Sequence, residues 1–288
     1  MPSPSGISRV IVVVLDGLRP DAIVRFALPR LGALLDTTAH TLTGRTMEPS
    51  TTAAVLASLF TGVRPAVHGI RNEHGMLPSL VKRLTPLPRL LGRYRQPMFG
   101  YMRALPFGFR TIGTTLAARL GVRARFEGHD AKSILAVARP GLDRTRRGVI
   151  YLHWPDADDA GHAHGWMSEG YAQAVRRLDE SVGRVLDATG VLHDPETVIM
   201  FMADHGGGGT VADDHESDHP DDVTIPIVIG GGQVEPNLLP TGSSPLDVCA
   251  TIPWLFGIVP PPDWQGSPLR AAFHPAGRRE IRQVEVAA

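Results

Sequence analysis

An α/β fold around a largely parallel sheet is what this sequence predicts, from three observations. Four short runs are apolar and β-branched without polar alternation, as strands buried on both faces of a sheet are. Two of them, Gly148–Trp154 and 197–203, bracket a segment of helical periodicity, which makes a strand–helix–strand unit. Aspartates stand where two of the runs end, at Asp16 and Asp204, and open α/β sheets bind ligands beyond the carboxyl ends of their strands.

Residues 7–15 (Ile-Ser-Arg-Val-Ile-Val-Val-Val-Leu) form the first strand. Residues 53–60 are good helix formers and follow Pro49-Ser50-Thr51-Thr52. Residues 76–147 are rich in arginine, proline and glycine, with scattered aromatics (Tyr94, Phe99, Tyr101, Phe107, Phe109). They read as a partly helical cap or insert within a single domain spanning 1–288, with ordinary α/β crossover material as the alternative. Gly148–Trp154 is the second strand. Over 168–189, Ser168 is placed as an N-cap, Ala174, Leu178, Val182, Val185 and Leu186 share one face, and Gly190 stops the helix. Residues 197–203 and 223–229 complete the strands, with the glycines of 206–209 between them read as a mobile loop. Residues 245–256 predict a late helix, and the polar tail after Gly277 is expected to fray.

The 288 residues suffice for one large domain with a sizeable core. Lysine plus arginine and aspartate plus glutamate both number 29, so no net charge draws the chain to nucleic acid and no nucleic-acid partner is expected. The single cysteine, Cys249, rules out an internal disulfide and reads as a small buried apolar residue. No apolar stretch approaches the roughly 18–20 residues of a bilayer span. The opening Met1-Pro2-Ser3-Pro4-Ser5-Gly6 lacks the positive start of a secretory signal. A cytoplasmic protein without a membrane partner is the expectation.

The chemistry-bearing residues fall in five short stretches. Asp16 and the pair Asp204–His205 follow apolar strands, where both side-chain types can turn toward one ion. Asp158 and His162 are four apart, so one helical turn projects both from a single face. Asp156 and Asp159 compete with Asp158 for that role. His215 would complete a second group, with His219 and the acidic residues around it as rivals. His164 is a candidate substrate contact. A hydroxyl at a helix N-terminus either caps the helix or attacks phosphorus, and position alone leaves Ser50, Thr51 and Thr52 open.

The order of these motifs resembles the alkaline phosphatase superfamily, closest to its type I phosphodiesterase/nucleotide pyrophosphatase branch. The resemblance is carried by Val13-Val14-Leu15-Asp16-Gly17, Thr52 with Thr61-Gly62, and His68-Gly69-Ile70. It continues through Asp158-Asp159-Ala160-Gly161-His162, His164-Gly165-Trp166, Ala203-Asp204-His205-Gly206-Gly207 and His215 before Pro220-Asp221-Asp222. The closing pieces are Asp247 to Gly257 and Trp264-Gln265-Gly266. It frames about two thirds of the chain.

This resemblance implies a three-layer α/β/α sandwich with a mostly parallel central sheet. It selects Thr52 as nucleophile, placed nine residues before Thr61. It implies one metal held by Asp16, Thr52, Asp204 and His205 and a second held by Asp158, His162 and His215. Zinc is the expected ion, with manganese as the alternative. Asn72 is the nearest counterpart of a substrate-binding asparagine, though Glu73 stands in the strictly counted place. The implied reaction is hydrolysis of a small phosphate ester, a phosphodiester or nucleotide pyrophosphate before a monoester, through a phosphothreonine. Two departures bear on substrate. Ala53-Ala54-Val55 follows the threonine where that branch has Phe-Pro-Asn, and the Cys or Ser that formylglycine sulfatases need is missing.

Overall fold

The computed structural model describes residues 3–4, 6–72, 84–106 and 108–273. In chain order the elements are β1 (Arg9–Leu15), α1 (Pro20–Arg25), α2 (Pro29–Thr37), β2 (Ala39–Arg45), α3 (Thr52–Thr61) and α4 (Pro65–His68). Then come α5 (Leu87–Arg93), β3 (Met98–Met102), α6 (Phe109–Leu120), β4 (Val122–Phe126), α7 (Ala131–Arg144), β5 (Gly148–Trp154) and α8 (Asp156–His164). The last are α9 (Glu169–Thr189), β6 (Thr197–Met202), α10 (Pro220–Val223), β7 (Thr224–Gly230), β8 (Asn237–Leu238) and α11 (Pro245–Leu255).

The strands form one sheet in the order β4-β3-β5-β1-β6-β7-β2-β8. All neighbours are parallel except β7, which runs against both β6 and β2. This is the α/β fold with a mostly parallel sheet that the apolar runs predict. β7 differs from its sequence reading in direction alone. A strand buried on both faces carries the same apolar composition whichever way it points, so the run cannot encode its sense.

Every residue of β1 is buried, and β1 pairs with β5 on one side and β6 on the other. Burying side chains such as Ile11 and Leu15 contributes about 1.5–3 kcal/mol each. That stabilisation fixes the register Leu15↔Trp154 and Val14↔Met202, so the chain leaves all three strands at one edge.

The described part of 76–147 supplies β3 and β4 to the main sheet and α5, α6 and α7 beside them. Met98 and Tyr101 of β3 join the common core, whereas the arginines of β4 reflect its place at an edge. The tail beyond Gly277 and Phe107 lie outside the described residues.

Candidate active site and metal centre

Five segments meet at the edge where β5, β1, β6 and β2 end and β7 begins. Asp16 directly follows β1 and turns into Gly17. Gly17 has a φ of +70°, and a Cβ there would stand 2.8 Å from the Asp158 backbone, so only glycine fits the approach. The Asp158 amide donates to Asp16 O (3.0 Å), and the Gly17 amide donates to Asp204 Oδ1 (3.3 Å). The turns after β1, β5 and β6 are thus tied together, the first two through backbone and the third through the Asp204 carboxylate.

Two groups result: Asp16, Asp204 and His205, and Asp158, His162 and His215. Within each, one ligand atom per residue lies within 4.8 Å of the others. The groups adjoin, because Asp158 Oδ1 is 3.9 Å from His205 Nε2 and 3.8 Å from His215 Nε2. The rings of His205 and His215 stack at 3.8 Å.

The histidine tautomers follow from their outer contacts. Nδ1 of His205 faces Gly206 O (2.9 Å), Nδ1 of His162 faces Asp213 O (2.8 Å) and Nδ1 of His215 faces Ser50 O (3.1 Å). A carbonyl only accepts, so each Nδ1 carries a hydrogen, and in the neutral ring, the form that binds a metal, each Nε2 turns a lone pair inward. Asp16 Oδ1, Asp158 Oδ1 and Asp204 Oδ2 are buried without a hydrogen bond. Lone pairs and orphaned carboxylate oxygens aimed at shared points suit divalent cations, and a mixed O/N donor set suits zinc.

The three candidate hydroxyls separate cleanly. Ser50 Oγ donates to His215 O, which anchors that loop. Thr51 Oγ1 caps α3 by accepting from the Ala54 amide. Thr52, the first residue of α3, places Oγ1 3.1 Å from His205 Nε2. The carboxylate rivals also have other work: Asp156 accepts from the Ala131 amide (2.7 Å) and Asp159 pairs with Arg103. His219 accepts from the Asp221 amide at the start of α10.

The type I phosphodiesterase / nucleotide pyrophosphatase family model matches residues 10–85 and 101–225, which span every one of these positions. The chain belongs to that family. The phosphodiesterase-family chain also resembles the GPI ethanolamine phosphate transferase 1 of Yarrowia lipolytica, with 30% identity over 93 residues, 32% of this chain. The human transferase of that name is 28% identical over 89 residues, 30% of this chain. The matched stretches span only 10% and 9% of those longer proteins. Among solved structures, murine ectonucleotide pyrophosphatase/phosphodiesterase 5, as an inactive variant with AMP, superposes with a TM-score of 0.71 at 12% identity. That match covers 93% of this chain and 100% of the other. The lipoteichoic acid synthase LtaP of Listeria monocytogenes gives 0.64 at 16%, covering 89% and 74%. These likenesses show the alkaline phosphatase-like fold.

Electrostatics in this phosphodiesterase-family site argue for cations as strongly as the geometry does. Burial disfavours an ionised Asp16, yet His153 and His205 outweigh it and hold the carboxyl well below its usual range. Burial and the Asp16 charge push Asp158 up to about 7 and Asp204 up to about 6. Burial and the neighbouring His205 and His162 drive His215 down to about 3. Three carboxylates this close cannot all ionise alone; divalent cations would let them.

The two expected substrate contacts, His164 and Asn72, are not members of the two His/Asp groups. His164 ends α8 two residues after His162, which turns it to another face of the helix, and its ring packs on Gly170. Asn72 is exposed beyond α4 and Glu73 lies outside the described residues. Sequence reasoning missed His153, whose Nε2 sits 3.1 Å from Asp16 Oδ2. A lone histidine in the apolar run of β5, opposite Val14, was the available signal.

Trp166 was also missed as a support. Its ring lies edge-on to His162 (5.1 Å) and His215 (5.8 Å), and its Nε1 donates to Gly17 O (2.9 Å). This explains Gly207 and Gly208 in the run 206–209. A Cβ at Gly207 would stand 2.2 Å from the indole, and four successive amides are bonded, to Asp222 O, Asp221 O, Asp214 O and Asp222 Oδ1. Gly207 and Gly208 form a fitted bed for Trp166, while Gly206 and Gly209 pack on Asp221 O and the His219 ring.

Proposed function

We propose that the chain is a metal-dependent phosphoesterase that cleaves a phosphodiester or nucleotide pyrophosphate through a covalent intermediate on Thr52. One observation supports the reading: Thr52 Oγ1, in the first turn of α3, lies 3.1 Å from His205 Nε2, and His205 adjoins Asp158 of the second group. Asp16, Thr52, Asp204 and His205 would hold one divalent ion, zinc by donor type, and Asp158, His162 and His215 the other. When bound, the pair supplies positive charge at the attacking, leaving and non-bridging oxygens.

The chain's own part is positioning. Thr52 Oγ1 gives up its proton and attacks phosphorus, the new Thr52–phosphorus bond forms as the ester or anhydride bond breaks, and the leaving alkoxide or phosphate takes up a proton. Water then cleaves the phosphothreonine and restores the hydroxyl. The N-terminus of α3 presents the positive end of its dipole to the developing charge. His153 holds Asp16, and Trp166 braces His162 and His215, so the donors are preorganised.

Thr52→Ala should lower turnover of a nitrophenyl phosphodiester by roughly a thousandfold or more, with metal content by elemental analysis unchanged. Retention of most of the activity would rule out the covalent route. A panel of nitrophenyl monoester, diester, phosphonate and sulfate ranks the substrate classes, and a monoester leading it would make the chain a phosphatase. Activity on none of them, with metal bound, would leave a non-catalytic metal-binding module.

A second reading rests on the partial likeness to GPI ethanolamine phosphate transferases: an alcohol, not water, receives the phosphoryl group from Thr52. Product analysis with an added alcohol acceptor separates transfer from hydrolysis.

A further inference from the structure

We propose that α6 and the arginines around it form a docking surface for an anionic lipid bilayer. No residue of α6 is buried. The helix leans on β4, with only Gly113, Ala117 and Leu120 half-buried. Phe109, Ile112 and Leu116 follow one another at three and four residues and are 62%, 63% and 40% exposed. That spacing makes one apolar stripe turned to solvent. Such a stripe is unfavourable in water and marks a contact surface.

The charge beside it is predominantly positive, although Arg110 of α6 pairs with Glu127 and Arg103 with Asp159. Residues 84–126 contain eight arginines and neither aspartate nor glutamate, in a chain whose charges balance overall. Arg119 lies two turns beyond Ile112 on the same side of α6, and Arg89 donates to its carbonyl (3.3 Å). A cleft of about 1120 Å³ lies between α6 and α7 along β4. Arg123, Arg125, Arg144, Arg146 and Arg147 line it, with no acidic residue among the described ones.

Arginine on an edge strand guards it against pairing with other chains, which accounts for Arg123 and Arg125. It explains neither an apolar stripe on a separate helix nor the arginines of α6 and the cleft. An apolar stripe flanked by guanidinium groups fits the boundary between lipid headgroups and acyl chains. The stripe enters the boundary and the arginines meet lipid phosphates. A second copy of this chain would bring like charges together across a two-fold axis. Nucleic acid would leave the stripe in water. No helix among the described residues is long and apolar enough to cross a membrane, and surface docking needs none.

Flotation of the full chain with vesicles tests this, using phosphatidylcholine alone and phosphatidylcholine with about a third phosphatidylserine. Binding is expected to the second kind and to weaken with added salt. Ile112→Glu and the double variant Arg119→Glu/Arg123→Glu should each lower partitioning by about tenfold or more, while soluble-ester turnover and melting temperature hold. Failure of the wild type to float with phosphatidylserine vesicles overturns the proposal, as does Ile112→Glu floating equally well. A dimer that Ile112→Glu dissociates, or single-stranded DNA bound in place of vesicles, would reassign the surface. Flotation is read without catalysis, so this inference stands or falls apart from the role of Thr52.

Discussion

His68 shows how a motif residue acts without touching the metal groups. It is fully buried at the end of α4. Its Nδ1 accepts from the Ile70 amide (3.1 Å), so Nε2 carries the hydrogen and meets Ser58 Oγ (3.0 Å) on α3. Burial pushes its pKa from 6.5 down to about 4. The unfolded chain therefore takes up this proton near pH 6.5 and the folded chain only near 4. Stability is present above 6.5 and is lost as pH falls through that window, by about 3 kcal/mol in full. Urea unfolding of His68→Gln across the same window should show a slope smaller by up to about 1.4 kcal/mol per pH unit. Equal slopes would remove His68 from the acid response. At this scale the sequence identified residue types and spacing well, as with Asp158 and His162, which share a face of α8. It could not choose among Ser50, Thr51 and Thr52 unaided, because all three hydroxyls are equally placed along the chain and differ only in what folds against them.

Elements were legible where burial is uniform and capping is local. The helix read from 168–189 is α9, with the Ser168 side chain accepting from the Tyr171 amide and Gly190 left-handed at its end. β2 was missed because its pattern, Ala-His-Thr-Leu-Thr-Gly-Arg, mixes buried and exposed positions and includes a bulge. α7 escaped notice within the arginine-rich segment although it carries a full capping box. Asp130 Oδ1 accepts from the Ser133 amide (2.8 Å), and Ser133 Oγ accepts from the Asp130 amide (3.1 Å). Asp130→Ala should destabilise the fold by about 1 kcal/mol in denaturant titration. The cap lies outside the metal groups, so ester turnover should not change; a fall in turnover at constant stability would show that α7 also shapes the site.

Across the whole molecule, the two His/Asp groups join the end of β1, α8, the end of β6 and the loop before α10. Ions bound there would act as cross-links between segments far apart in sequence. If metal is present at roughly a thousandfold above its dissociation constant, chelation removes about 4 kcal/mol of apparent stability. The melting temperature should then fall by roughly ten degrees in differential scanning calorimetry. An unchanged melt after demonstrable metal loss would mean the sheet preforms the site without ionic help.

The sequence by itself determined the buried strands, the long helix and the inventory of ligand-type residues, because apolar periodicity and short-range spacing are written along the chain. Only the tertiary structure decided that β7 runs backwards, that the described part of 76–147 extends the sheet, and that His153 and Trp166 support the two His/Asp groups. Each of these depends on which segments lie side by side, and that adjacency is set by burial and register across the sheet, over separations that local pattern does not record.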